Sequence, residues 1–99
     1  MPGYVYILTN DAHTVLYTGV TSNLPRRLQQ HRDGQPGSFT HRYRVKRLVY
    51  VEYHSSIWHA IQREKQIKGG SRRMKEALIN ELNPVWRDLA DDPDYNGSW

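Results

Sequence analysis

Two helical stretches of this sequence place charged side chains where apolar ones belong. Leu24 and Leu28 define an apolar stripe at i and i+4, and Arg27 and His31 fall at i+3 and i+7 on that same stripe. Farther along, Ile57, Ala60, Ile61 and Ile67 make a second stripe with Glu64 in its middle. Charged groups are rarely buried without partners, because taking a charge out of water is costly. An inward Arg and an inward Glu therefore mean one of two things: an Arg27–Glu64 ion pair that orients two helices, or a cleft that uses both charges. Tyr6 and Tyr17 weigh toward the cleft, since neighbouring strand segments can bring both phenols to the same end of a sheet.

Tyr, Arg, His and Glu in an electropositive setting can make a phosphodiester site. Cleaving a phosphodiester requires in-line attack on phosphorus, stabilisation of added negative charge, a metal and a proton acceptor. Glu64 is the candidate hard-oxygen ligand for one Mg²⁺ or Mn²⁺, and a single carboxylate argues against a two-metal site. Arg27 is the candidate phosphate ligand. Tyr6 or Tyr17 can deprotonate or orient a water once nearby cations and the metal lower its pKa, and His31 can act as base or as phosphate ligand.

The elements that must position these residues follow from local pattern. Residues 4–8 and 15–20 are rich in β-branched and aromatic residues and flank a polar turn, so they predict a β-hairpin. Thr21, Ser22 or Asn23 caps a helix from about Leu24 to Asp33, with Pro25 in its first turn and a loop through Gln35–Ser38 after it. Residues 47–53 predict a third strand. A helix follows from about Ile57 to Lys68, Gly69-Gly70 breaks it, and Ser71 caps a last helix that ends near Leu82, before Asn83-Pro84. The order β β α β α α implies an α+β fold, a three-stranded, mainly antiparallel sheet flanked by about three helices. Trp86 and Leu89 are expected to dock on the body, and core packing is expected for Tyr50 and Trp58.

Composition bounds the reading. At 99 residues with 37% hydrophobic content the chain can bury one core, with a radius of gyration of about 13 Å. The absence of Cys removes disulfides, thiolate zinc sites and a Cys nucleophile, and fits a reducing compartment. No apolar run approaches the roughly 18 residues of a membrane helix and no signal-peptide pattern opens the chain, so a cytoplasmic address is expected. The net charge of +4 hides an asymmetry: residues 26–75 carry 13 of the 14 Lys and Arg and sum to +10, whereas residues 76–99 sum to −5. Nine of those 13 cations are Arg, whose forked guanidinium suits phosphate. Arg26, Arg27, Arg42, Arg44, Lys46, Arg63, Lys65, Lys68, Arg72 and Arg73 are the candidate nucleic-acid contacts.

The same residues carry a family resemblance. Tyr4-Val5-Tyr6, Tyr17-Thr18-Gly19, Arg27 and His31 in Asn-Leu-Pro-Arg-Arg-Leu-Gln-Gln-His, Glu64 in Arg-Glu-Lys-Gln-Ile-Lys, the Ser71 to Lys75 stretch and Asn83 to Leu89 together resemble the GIY-YIG nuclease domain, nearest its small stand-alone bacterial members. The likeness spans about residues 3–89, which implies a single GIY-YIG-like domain over 1–89; the last residues show no periodicity, and 90–99 is expected to be a flexible acidic tail. It also implies DNA cleavage with one divalent ion on Glu64, Arg27 on the scissile phosphate, Tyr6 and Tyr17 at the catalytic centre, one as general base, and His31 beside them. Asn83 is the candidate polar residue that completes the site. Tyr4, Thr18 and Val20 depart from the family pattern without removing a catalytic residue. Gly70 stands where relatives carry a bulky aromatic, which is expected to loosen the joint between the last two helices.

Three functional readings follow. The first is a metal-dependent DNA endonuclease of low intrinsic sequence specificity, structure-selective or repair-related, since a chain of this length has no room for a separate recognition domain. The second is a non-catalytic DNA- or RNA-binding module that keeps the nuclease fold; a basic structural RNA binder is a third. All assume a nucleic-acid partner, no membrane and, by default, a monomer.

Overall fold

Asn10 closes the first turn. Its side-chain oxygen accepts from the backbone N–H of Thr14 (2.8 Å) and Val15 (3.1 Å), and His13 takes a left-handed conformation (φ 58°). This joins strands β1 (Gly3–Thr9) and β2 (Leu16–Thr21) in an antiparallel hairpin. In the computed structural model, which describes residues 1–34 and 38–91, strand β3 (Arg47–His54) pairs antiparallel with the other side of β1, giving the sheet order β2-β1-β3. The register shifts between Ile7 and Leu8, leaving Val49 without a β1 partner.

Helix α1 (Leu24–Asp33) starts where Asn23 accepts from Arg26 N, and stops at Gly34, whose φ of 70° favours glycine. A second, four-residue helix, α2 (Phe39–Arg42), was not expected from local pattern; Ser38 caps it by accepting from His41 N. Helices α3 (Ile57–Lys68) and α4 (Arg72–Leu82) follow as predicted, α4 capped by the Ser71 hydroxyl. The order is therefore β β α α β α α, with a 3₁₀ turn at Leu89–Asp91.

Alternation along the strands sends side chains to two cores. On one face Val5, Ile7, Val49 and Tyr50 pack with Ala60, Ile67 and Ile79 of α3 and α4. On the other, Tyr6, Leu8 and Leu48 pack with Leu24 and Leu28 of α1, Val45 and Leu89. The radius of gyration is 12.6 Å, and no described helix is long and apolar enough to cross a membrane.

Two expectations need correction. Tyr50 is buried, but Trp58 points outward and is 73% exposed, because it lies off the α3 stripe that meets the sheet. The joint at Gly70 is filled rather than loosened: the Met74 thioether occupies the space a side chain at Gly70 would take. Leu89 is buried, and Trp86 and Ala90 are partly buried against the body. The Gln35–Gly37 part of the expected loop and residues 92–99 of the expected tail lie outside the described residues.

Candidate active site

Tyr6 is the centre of the polar group on the α1 face. Its ring lies across the β2 partner Gly19 so closely that any Cβ there would collide with it, which is the physical reason for glycine inside this strand. The phenol oxygen meets His31 Nε2 at 3.0 Å and accepts from Arg27 Nε at 3.4 Å. His31 is held on its other side by Thr40 Oγ1, 3.1 Å from Nδ1. Arg27 Nη1 donates to Gln30 Oε1 at 3.1 Å, and the Tyr17 ring stands 5.4 Å from the His31 ring. Tyr17, Arg27, Gln30, His31 and Thr40 line a recess of ≈ 110 Å³.

Burial sets the ionisation of this group. It pushes the Tyr6 phenol up to about 12, despite the opposing hydrogen bond from Arg27. At Tyr6 desolvation outweighs the Arg27 cation, one of the two influences, cations and metal, expected to lower a phenol here. Burial, then the Arg27 charge, lowers His31 to about 4, so its imidazole is neutral at pH 7. The bond to Tyr6 holds Arg27 firmly protonated.

Glu64 comes from the opposite side of the sheet. It is 9% exposed on α3, the helix that covers β1 and β2, and its charge is felt at Tyr6. The ion-pair alternative is not what the fold adopts, since Arg27 and Glu64 form no salt bridge among the described residues. Glu64 instead has Lys68 Nζ at 3.6 Å. A groove runs between the two helices, lined by Arg26 and Arg27 of α1, Thr21 at the end of β2, Ser22 and Asn23 after it, and Ile57 and Ile61 of α3.

The structure does not gather every candidate residue. Asn83 is 2% exposed at the end of α4, where its amide donates to Val49 O and Arg87 O and its oxygen accepts from Arg87 N. None of those partners belongs to the Tyr6 group. Arg63 is drawn onto Glu52 (3.0 Å), which also accepts from Tyr50 and His54. Burial opposes the ionised Glu52, but these bonds outweigh it and hold the carboxyl below its usual range. Arg72 clamps the hairpin turn by donating to His13 O and Thr14 O. Arg42, Arg44, Lys46, Lys65, Lys68 and Arg73 remain exposed. Thr40 and Gln30, the immediate supports of His31 and Arg27, were missed. The one local signal was Ser38, a cap residue ahead of Phe39-Thr40.

Glu64 is the carboxylate to be weighed as a cation ligand. No group of three or more His, Cys, Asp and Glu converges among the described residues, and a lone, largely buried carboxylate suits a hard ion that keeps most of its waters.

Comparison with known proteins bears on the same residues. The model of the GIY-YIG catalytic domain matches residues 2–77, which include Tyr6, Tyr17, Arg27, His31 and Glu64. A UPF0213 protein of Syntrophus aciditrophicus is 44% identical over 82 residues, spanning 82% of this chain and 92% of that one. A UPF0213 protein of Natronomonas pharaonis is 41% identical over 77% of this chain and 88% of its own length. The solution NMR structure of a UPF0213 protein from Bacillus halodurans superposes with a TM-score of 0.54 at 32% identity, covering 97% of this chain and 93% of the other.

Proposed function

The chain belongs to the GIY-YIG family, a nuclease family, and on that premise we propose that it is a metal-dependent endonuclease that hydrolyses DNA phosphodiester bonds with low intrinsic sequence specificity. One observation carries the reading: a buried phenol, Tyr6, is bonded at once to a neutral imidazole and to the Arg27 guanidinium, it feels the Glu64 carboxylate, and Arg27 also lines the groove between α1 and α3.

Arg27 binds a phosphate oxygen and offsets the charge that builds up as phosphorus becomes five-coordinate. Its bonds to Tyr6 and Gln30 fix the guanidinium plane beforehand, so little is reorganised during reaction. Since Arg27 donates to the phenol oxygen, the Tyr6 hydroxyl donates to His31 Nε2, and the ring proton on Nδ1 is directed at Thr40 Oγ1. Tyr6 thus orients, as a neutral donor and acceptor, instead of serving as a base. Tyr17, at the recess wall, is the phenol we assign to the attacking water. Glu64 would hold the Mg²⁺ or Mn²⁺, which when bound would supply Lewis-acid stabilisation of the phosphate charge. The exposed Arg26 on the groove rim contacts backbone phosphate, which conveys no base sequence.

The test is nicking of supercoiled plasmid by the wild type and by Glu64→Ala, with Mg²⁺, with Mn²⁺ and with chelator. Metal-dependent nicking that disappears in Glu64→Ala while DNA binding persists is the expected result. DNA binding with no metal-dependent nicking in the wild type refutes the enzyme and leaves the binding module.

A further inference from the structure

Helix α2 turns one side chain inward and the preceding one outward. Thr40 is buried against His31, while Phe39, the only phenylalanine of the chain, is 48% exposed. The Phe39 ring stands 6.0 Å from Tyr17 and 4.8 Å from Tyr43, and Tyr17 stands 6.4 Å from Tyr6. These rings form a row that runs from the buried phenol to open surface. Phe39 and Arg27 line the same recess, which puts the aromatic face beside the candidate phosphate ligand. Tyr43 is 42% exposed, and the Arg42 guanidinium lies 5.5 Å over its ring.

Phe39 and Tyr43 together present one exposed aromatic face. Beside a phosphate-binding Arg and among the exposed cations Arg42 and Arg44, it has the makeup of sites that stack bases on aromatic rings while cations follow the backbone. A base inside a duplex cannot use such a platform, because its neighbours in the stack already cover both of its faces. We propose that Phe39, with Tyr43, is a stacking platform for an unpaired base next to the scissile phosphodiester, so that the preferred substrate is DNA with an unpaired nucleotide at the cut. The selectivity rests on the endonuclease reading, whereas the stacking is measurable without cleavage. Because Phe39 and Thr40 are adjacent, base recognition and the orientation of His31 share one short helix.

The experiment uses Glu64→Ala protein in chelator and three duplexes: one with a single 2-aminopurine bulge, one with an abasic bulge, and one fully paired. The base-containing bulge binds about fivefold to a hundredfold more tightly than the other two, and its fluorescence is quenched. Adding Phe39→Leu, which keeps apolar bulk without a π face, removes the preference and the quenching at unchanged melting temperature; Phe39→Trp restores both. Equal affinity for the three duplexes, or a preference that survives Phe39→Leu, overturns the platform. Wild-type cleavage of paired and bulged DNA at equal rates without quenching would overturn the platform and spare the nuclease. Phe39-dependent quenching without metal-dependent cleavage would do the reverse.

Discussion

Acid destabilises this fold through His31. The imidazole is 6% exposed, and its folded pKa of about 4 lies below the ordinary value of 6.5. The unfolded chain therefore binds the proton more readily, and the stability associated with neutral His31 is complete above pH 6.5 and lost as the pH falls toward 4. The two values imply a loss of about 2 kcal/mol at pH 5 and about 3 kcal/mol at pH 4, relative to pH 7. The structural cause is plain. A protonated ring would add a cation beside Arg27 and could no longer accept the Tyr6 hydroxyl at 3.0 Å. Urea unfolding of the wild type and of His31→Gln across pH 4–7 measures this, because acid effects from the carboxylates are common to both proteins. The wild type should lose about 3 kcal/mol more than the variant between pH 7 and pH 4, and the His31 ring protons should titrate near 4 by NMR. An excess loss below about 0.5 kcal/mol, or a His31 midpoint near 6.5, refutes the assignment.

Other perturbations separate catalysis from architecture. Gly19→Ala drives a methyl group into the Tyr6 ring and should cost about 1–3 kcal/mol of stability by chemical denaturation, with nicking reduced as Tyr6 leaves His31. Tyr6→Phe leaves His31 Nε2 unpartnered; it should destabilise by about 1–3 kcal/mol and abolish nicking, with near-wild-type DNA affinity in a filter or polarisation assay. Arg72→Ala frees the carbonyls of His13 and Thr14 and should cost about 1 kcal/mol in melting measurements without changing the nicking rate per folded molecule.

Much of the architecture was legible because it is written at short range. Caps at Asn23 and Ser71, the break at Gly69-Gly70 and the alternation in the strands are local, and each led to an element close to its observed bounds. The 3.6-residue period likewise marked His31 and Glu64 as inward-facing, and both are buried. Helix α2 escaped notice because four residues barely exceed one turn and cannot display a period. With it went Thr40, the support of His31, and the exposed Phe39.

The sequence by itself determined which residue types face inward and where the chain turns, since both depend on neighbours a few positions apart. Only the tertiary structure decided what those residues meet. It showed that Arg27 bonds to Tyr6 and not to Glu64, that Arg63 bonds to Glu52 and Arg72 to the hairpin turn, and that Asn83 joins the end of α4 to β3. It also decided that Tyr6 is held neutral where neighbouring cations alone would have favoured the phenolate. The physical reason is common to all of these. Pairing and ionisation depend on distance and on exclusion of water, and for Tyr6 and His31, 25 positions apart, both arise only when α1 closes over the sheet.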